Sequence, residues 1–545
     1  MNDKKLKVLL GTGLLLVILL LVINSFGDIK YSSSEGLTYG EKKSDAKYLM
    51  DFLEKTYPYF DEIKADSGQD LIKEKEKLID TIAKTSTDGE FYTKTSEMLR
   101  KFTYGYAEIN MYVDPNINNY IYLDKKYGLT RDKYFEKLLK ENAKWEPIQQ
   151  EYWNQFTNTQ YISNMNALYI NGKYYITMSQ DPNVHVGDEV VKVNGSSVED
   201  FAKTLPRDKY FLTYDYNLEK LVVTSLFTFK DNLPKEITIK NSTGAQREVE
   251  LLTFDPKKPI LENGFKAFVN GQSINLADNI QGNFLNTFEE NKILALNFTA
   301  YVEAYKYLES PQDLAKLFTK ISESDYLILD LRRSINEPLL KDILAFVSPK
   351  DLEYLDYKVL KKNEINDDFI NHYKSAIQPF AAEVTGMKSS LEKVYPEAKY
   401  HIFEEKTVDI KGRNKYKGKV FIFFDTTFSS DESNQILKTI IDQNIATVIS
   451  NGKFPLINYI PNYLTTSVIL PNSNMAITVQ NGKVVDENGT FIGKILVTPQ
   501  VIIKQDTSKI IEKLKGGNGY ILEISEEDRY TSKDEYFNEV LKLVK

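Results

Sequence analysis

The sequence contains no cysteine, which excludes a thiol nucleophile, disulfide bridges, iron–sulfur clusters and cysteine-ligated zinc. Histidine is almost as scarce. The three present, His185, His372 and His401, lie far apart and show no H-E-x-x-H spacing, which argues against a histidine-rich metal centre and against a Ser/His/Asp triad. Positive charge is short as well: Lys+Arg 69 against Asp+Glu 77 gives a net charge of −8, without the basic footprint that nucleic-acid binding needs. Nucleic acid is therefore not an expected partner. There is no P-loop, no G-x-G-x-x-G after a strand and no D-x-D-x-D-G loop, so neither a nucleotide cofactor nor a metal is expected. With 42% hydrophobic residues and a mean hydropathy of −0.38, the bulk of the chain reads as globular rather than polytopic, which excludes a channel or transporter.

What is present begins with a membrane address. Lys4, Lys5 and Lys7 precede an uncharged run from Val8 to Ile23 rich in Leu, Val and Ile, and the positive flank sends everything after it across the membrane. Residues 1–27 are a membrane anchor or a signal peptide. Extended to Phe26, the run nearly reaches the ~20 residues of a spanning helix, which favours a single-pass anchor; Ser25-Phe26-Gly27 has the small-x-small form of a cleavage site, which would release a secreted protein.

The 545 residues suffice for roughly three to five domains. Residues 28–125 read as a helical region, with Ala46, Leu49, Met50 and Leu53 spaced at threes and fours. Residues 126–255 hold a connection, with a helix near Lys133 to Asn142, and then a β module. In that module Ala167 to Ile170, Tyr174 to Thr177 and Glu189 to Val193 are β-rich, Asn194-Gly195 supplies a turn, Ser197 to Thr204 is a short helix and Lys235 to Leu252 forms two strands. Residues 256–545 alternate. Apolar runs at Ile293 to Phe298, Tyr326 to Leu331, Val420 to Phe424 and Ala446 to Ile449 are separated by helices at Pro311 to Ser322, Glu337 to Phe346 and Asn434 to Gln443, an α/β core. A hairpin-like region follows at Ser467 to Leu470, Ala476 to Gln480 and Gly482 to Val485.

His185-Val186-Gly187-Asp188, followed by Asn194-Gly195, resembles the signature of a PDZ module, a peptide binder that adds a strand to its own sheet edge. Downstream stand Asp325 to Arg332, Gly418 to Asp425, Phe428-Ser429-Ser430-Asp431-Glu432, Leu470 to Ser473 and Val497 to Pro499. In that order they resemble the landmarks of the tail-specific, or carboxy-terminal processing, serine proteases over roughly residues 44 to 505. The resemblance implies a protease core with crotonase-like strand–helix alternation, a helical cap and an embedded PDZ-like module binding a polypeptide through Val186, Gly187, Asp188, Asn194 and Gly195. It makes Ser429 the nucleophile and Lys453, in the Gly452-Lys453 turn, its base. Ser430, Arg332 and Asn336 are then placed at the oxyanion or along the substrate groove. No cofactor is implied.

The residues alone leave plainer readings open. Ser429 or Ser430 ahead of Glu432 also fits a helix N-cap, and Lys453 also fits a solvated turn. The sequence departs from the family pattern as well: Ser334-Ile335-Asn336-Glu337-Pro338 replaces a glycine-rich turn, Tyr106 stands where some members carry histidine, and Ile457 replaces a polar residue beyond the lysine. Three functions follow: a membrane-tethered serine peptidase, a catalytically degenerate relative that binds peptides or proteins, and a structural surface protein.

Overall fold

The computed structural model describes residues 36–102, 112–113, 144–157, 163–204, 212–227, 233–255, 257–263, 283–332, 337–376, 383–384, 390–426, 431–457, 464–504, 506–515 and 527–544. The N-terminal segment with its Val8 to Ile23 run, and the helix expected near Lys133 to Asn142, lie outside them. Among the described residues no helix is long and apolar enough to cross a membrane.

The N-terminal region is a helical cap that includes α1 (Tyr39–Thr56), α2 (Lys75–Ala83), α3 (Asp88–Arg100) and α4 (Trp145–Thr157), with a short helix at Phe60–Ser67 between the first two. Thr38 and Glu41 start α1 with a reciprocal capping box. The apolar stripe then buries Leu49 and Leu53 with Ile79, Ile82 and Phe91. Trp145 stacks on Tyr92, so α4 packs with the cap and not with the β module that follows it in sequence. Asp45, fully buried on α1, accepts hydrogen bonds from the backbone N–H groups of Asn472 and Ser473 at 2.9 and 2.8 Å. The Leu470 to Ser473 landmark is thus where the cap is tied to the core.

The β module comprises β1 (Met165–Ile170), β2 (Lys173–Ser179), β3 (Glu189–Val193), the hairpin β4 (Leu212–Asp215) and β5 (Lys220–Val223), then β6 (Glu236–Lys240) and β7 (Gln246–Glu250). Its main sheet is antiparallel in the order β7-β6-β3-β2-β1, and a final short strand, Glu262–Asn263, pairs with β2. Ala167, Ile176, Val190, Ile237 and Ile239 form a core of their own. The expected helix is present at Val198–Thr204.

Further strands are β8 (Leu285–Phe288), β9 (Ile293–Asn297), β10 (Tyr326–Asp330), β11 (Leu352–Lys361), β12 (Tyr400–Ile410), β13 (Lys419–Phe424), β14 (Thr447–Ser450), β15 (Thr465–Ile469), β16 (Ala476–Gln480), β17 (Gly482–Val485) and β18 (Val501–Ile502). The central sheet runs β8-β9-β10-β13-β14-β18, antiparallel at the first pair and parallel thereafter. Helices α5 (Pro311–Glu323), α6 (Glu337–Val347) and α7 (Asp431–Gln443) make the crossovers. Side chains alternate along each strand, so Leu327, Leu329, Ile422 and Val448 face these helices, whereas Ile328, Phe421, Phe423 and Ile449 face the other way. That second face is covered by α9 (Glu535–Leu543), reached after α8 (Thr507–Lys515). A mixed α/β fold is what the alternation predicted. The hairpin-like region differs in one respect: β15 pairs with β16, but β17 leaves them to pair with β11, which in turn pairs with β12.

The second face of the sheet is locked by buried charge. Arg332, just past the end of β10, donates to both Asp330 oxygens (2.9 and 2.7 Å) and to both Asp534 oxygens (2.9 and 3.0 Å). Its guanidinium lies over the rings of Phe423 and Tyr536. Arg529 and Tyr530 add further bonds to Asp330, and Asp534 N-caps α9. Burial alone would push the Asp330 carboxyl up, but Arg332 and Arg529 outweigh it and hold the group well below the usual carboxylate range. Its stabilising share is therefore complete above the unfolded pKa of ~3.9 and is lost as pH falls through the folded value. Asp534→Ala strands Arg332 without half its partners and uncaps α9; we expect a loss of roughly 3–5 kcal/mol in denaturant unfolding at neutral pH, and an unchanged midpoint would contradict this account.

Candidate active site

In parallel α/β sheets, ligands gather outside the carboxyl ends of the strands. Two adjacent strands end together here: Phe424 of β13 is the register partner of Ser450 of β14. From β13 the chain passes through Asp425-Thr426 towards α7, and from β14 through Asn451-Gly452-Lys453. The two exits are bound to each other. The Thr426 backbone N–H donates to Asn451 Oδ1 at 3.0 Å, and Asn451 Nδ2 donates to Asp425 Oδ1 at 3.0 Å. One turn into α7, the fully buried Asn434 donates from Nδ2 to the Pro455 carbonyl at 2.9 Å, and the Phe424 and Phe454 rings meet at 4.7 Å. The segments flanking the serine loop and the lysine turn thus form one unit.

Of the residues expected in the site, Ser429, Ser430 and Asn336 lie outside the described residues, as does Tyr106. Lys453 is described, and its Nζ donates to Glu219 Oε1 at 2.5 Å. Its backbone N–H donates to Asn217 Oδ1 at 3.1 Å. A methyl group on Gly452 would fall 2.7 Å from Asn217 Nδ2, so glycine is what lets the β4–β5 tip come this close. The hairpin of the β module therefore sits on the lysine turn. Ile457 is buried, the apolar neighbour that the sequence implied. Glu337 and Pro338 open α6; in a first turn the missing proline N–H costs nothing, which is why proline is accepted where the family pattern carries glycine.

Arg332 does not line a groove. It is 5% exposed and turned wholly to Asp330 and Asp534. The five residues expected to hold a peptide are likewise engaged within the chain. Val186 is buried, and Gly187, at φ +94°, lies against α8, where an added methyl would fall 2.3 Å from Ile511 Cγ2. Asp188, also buried, accepts from the His185 N–H at 3.1 Å and faces Arg247. Asn194 and Gly195 take positive φ in the turn after β3, and Asn194 Oδ1 accepts from the N–H groups of Lys235 and Glu236. Burial and turn geometry account for these positions without a ligand.

Sequence reasoning missed Asn217, Glu219, Asn434 and Asn451. The only available signal for the first pair was the polar turn Asp215-Tyr216-Asn217 between two β-rich runs. Among the described residues no cluster of three or more His, Asp or Glu side chains could hold a metal ion.

The chain matches no family model and no curated protein sequence. Among solved structures it is similar to mature CPAF complexed with lactacystin, at 13% identity and a TM-score of 0.42, over 93% of this chain and 98% of that one. It is also similar to the photosystem II D1 C-terminal processing protease, at 12% identity and a TM-score of 0.31, over 88% of this chain and 98% of that one. Both neighbours are members of the tail-specific protease family, the family that the ordered sequence motifs resemble.

Replacing Asn451 by Ala removes both bonds between the strand exits. We expect a loss of about 1–3 kcal/mol in stability, together with faster hydrogen exchange of the Thr426 amide; unchanged exchange there would show that Asn451 does not hold the loop.

Proposed function

We propose that the protein is a serine peptidase-like enzyme, exported and held at the membrane by its N-terminal segment, in which Ser429 attacks a peptide carbonyl with Lys453 as its base. The single observation that carries this reading is the tie between the ends of β13 and β14. Asn451 fastens Thr426, just upstream of Ser429, to the turn that bears Lys453. The N-terminus of α7 follows that loop, and its dipole favours a developing oxyanion. An acyl-enzyme would form on Ser429 and be released by water. The core is read as crotonase-like and the β module as PDZ-like.

To act as base the Lys453 Nζ has to be turned to the Ser429 hydroxyl, whereas here it is held by the Glu219 carboxylate. Catalysis thus requires the β4–β5 hairpin to withdraw Glu219 from Lys453, for which a polypeptide engaging the β module is the fitting trigger. The same contact favours a second reading, a binding protein that has lost its chemistry, in which the Glu219–Lys453 pair is a permanent part of the interface.

A fluorophosphonate probe on the full-length protein separates the two. The enzyme reading expects an adduct that disappears in Ser429→Ala and forms roughly two- to fivefold faster in Glu219→Ala, the worth of a part-exposed ion pair. No adduct in any of the three proteins would leave only the binding reading. Membrane fractionation of the full chain beside one starting at Asp28 tests the tether: recovery of the full chain in the soluble fraction would remove that part of the proposal.

A further inference from the structure

One face of the sheet β12-β11-β17 carries Asp356, Lys358 and Glu405, none of which has a part in the chemistry above. Alternation along β11 puts Asp356, Lys358 and Leu360 on the same side. The antiparallel register pairs Asp356 with Glu405 and Lys358 with Phe403, so Lys358 is the diagonal neighbour of Glu405 on that face. On β17 the partner of Lys358 is Val484. Leu360, Phe403 and Val484 all belong to the main apolar core, over which α7 packs on β11 and β12.

Lys358 is 1% exposed and Asp356 3%. The Lys358 Nζ is in contact with Glu405 Oε2 and lies 3.9 Å from Asp356 Oδ1. Asp356 Oδ1 is itself buried without a hydrogen-bond partner among the described residues. Glu405, with 35% of its side chain exposed, reaches in from the rim and leaves a path to solvent. As an ion group this would bury one ammonium between two carboxylates, a costly arrangement in an apolar core. Burial acts against both groups of β11, pushing the Asp356 carboxyl up to about 6 and the Lys358 amine down to about 8. Both move towards the uncharged form, that of a nucleophilic amine beside a proton carrier.

We propose that Lys358 and Glu405 are joined by an isopeptide bond between β11 and β12, formed by the protein on itself with Asp356 carrying the proton. The uncharged Nζ attacks Glu405 Cδ and a C–N bond forms. With Glu405 as the protonated carboxyl, the uncharged Asp356 gives its proton to the departing hydroxyl and takes one from the attacking nitrogen in exchange, the C–O bond breaks, and one water leaves with Asp356 restored. No oxidant or co-reactant is needed. The product is a neutral amide where an amine and a carboxyl stood, which relieves the desolvation cost. It also closes the loop between the two strands in a chain that has no cysteine with which to do so.

Intact-mass spectrometry of the denatured full-length protein, with tryptic mapping, tests this. The expected result is a mass one water below that encoded, no cleavage after Lys358, and a branched peptide that fragmentation assigns to Lys358 and Glu405. Lys358→Arg and Asp356→Ala should each restore the full encoded mass. Wild-type protein at its encoded mass with normal cleavage after Lys358, or a branch at Glu404 instead, overturns the proposal without reliance on any variant. Persistence of the bond in Asp356→Ala overturns the role given to Asp356.

Discussion

The constraint on which the structure turns is the parallel pairing of β10, β13 and β14 in a sheet buried on both faces. Parallel strands cannot be joined by tight turns, so each needs a helical crossover, and every crossover begins at the same edge of the sheet. That edge collects the D-x-R segment at the end of β10, Asp425-Thr426 after β13 and the lysine turn after β14. No local preference would bring residues so distant in sequence to one place. Asn451 and Asn434 then convert proximity into attachment, each spending a side-chain amide on the neighbouring exit.

Much of the α/β core was legible because its strands are short, uninterrupted apolar runs. Val420 to Phe424 can be little else when both faces must be covered, and α5 shows its helical period plainly. The long pair β11 and β12 was not legible, for a physical reason: Leu352 to Lys361 and Tyr400 to Ile410 mix charges into both faces, so neither period 2 nor a solid apolar run stands out. The register that makes Asp356, Lys358 and Glu405 neighbours exists only once the strands pair. Arg332 illustrates a different failure. Its place in a D-x-R segment suggested a groove, but its partner Asp534 lies on the far C-terminal helix, and a contact of that sequence separation leaves no trace in local pattern. The packing of Gly187 was equally illegible, since its close approach is to Ile511.

Buried charge is handled in two ways in this chain, and the contrast is informative. Around Asp330 the count of donors and acceptors closes: two guanidiniums and a phenol meet one carboxylate, with a second carboxylate completing Arg332. Attraction outweighs burial there, and the carboxyl stays ionised. Around Lys358 burial dominates both the amine and Asp356. Where attraction wins, the network is a mechanical element; where burial wins, the groups are driven towards neutrality.

The contact between Glu219 and Lys453 belongs to neither case. It is part-exposed, so its own strength is modest, yet it joins two bodies with separate apolar cores. A weak pair at such a junction can be exchanged at little cost for contacts to a third chain. The backbone bond from Lys453 to Asn217 and the glycine at 452 show that the hairpin tip fits the turn closely. That close fit distinguishes a docked position of the β module from an incidental surface ion pair, and it makes the lysine turn the place where the state of the module is felt by the core. Whether the module holds a ligand or only packs, this hairpin is where it touches the lysine turn directly.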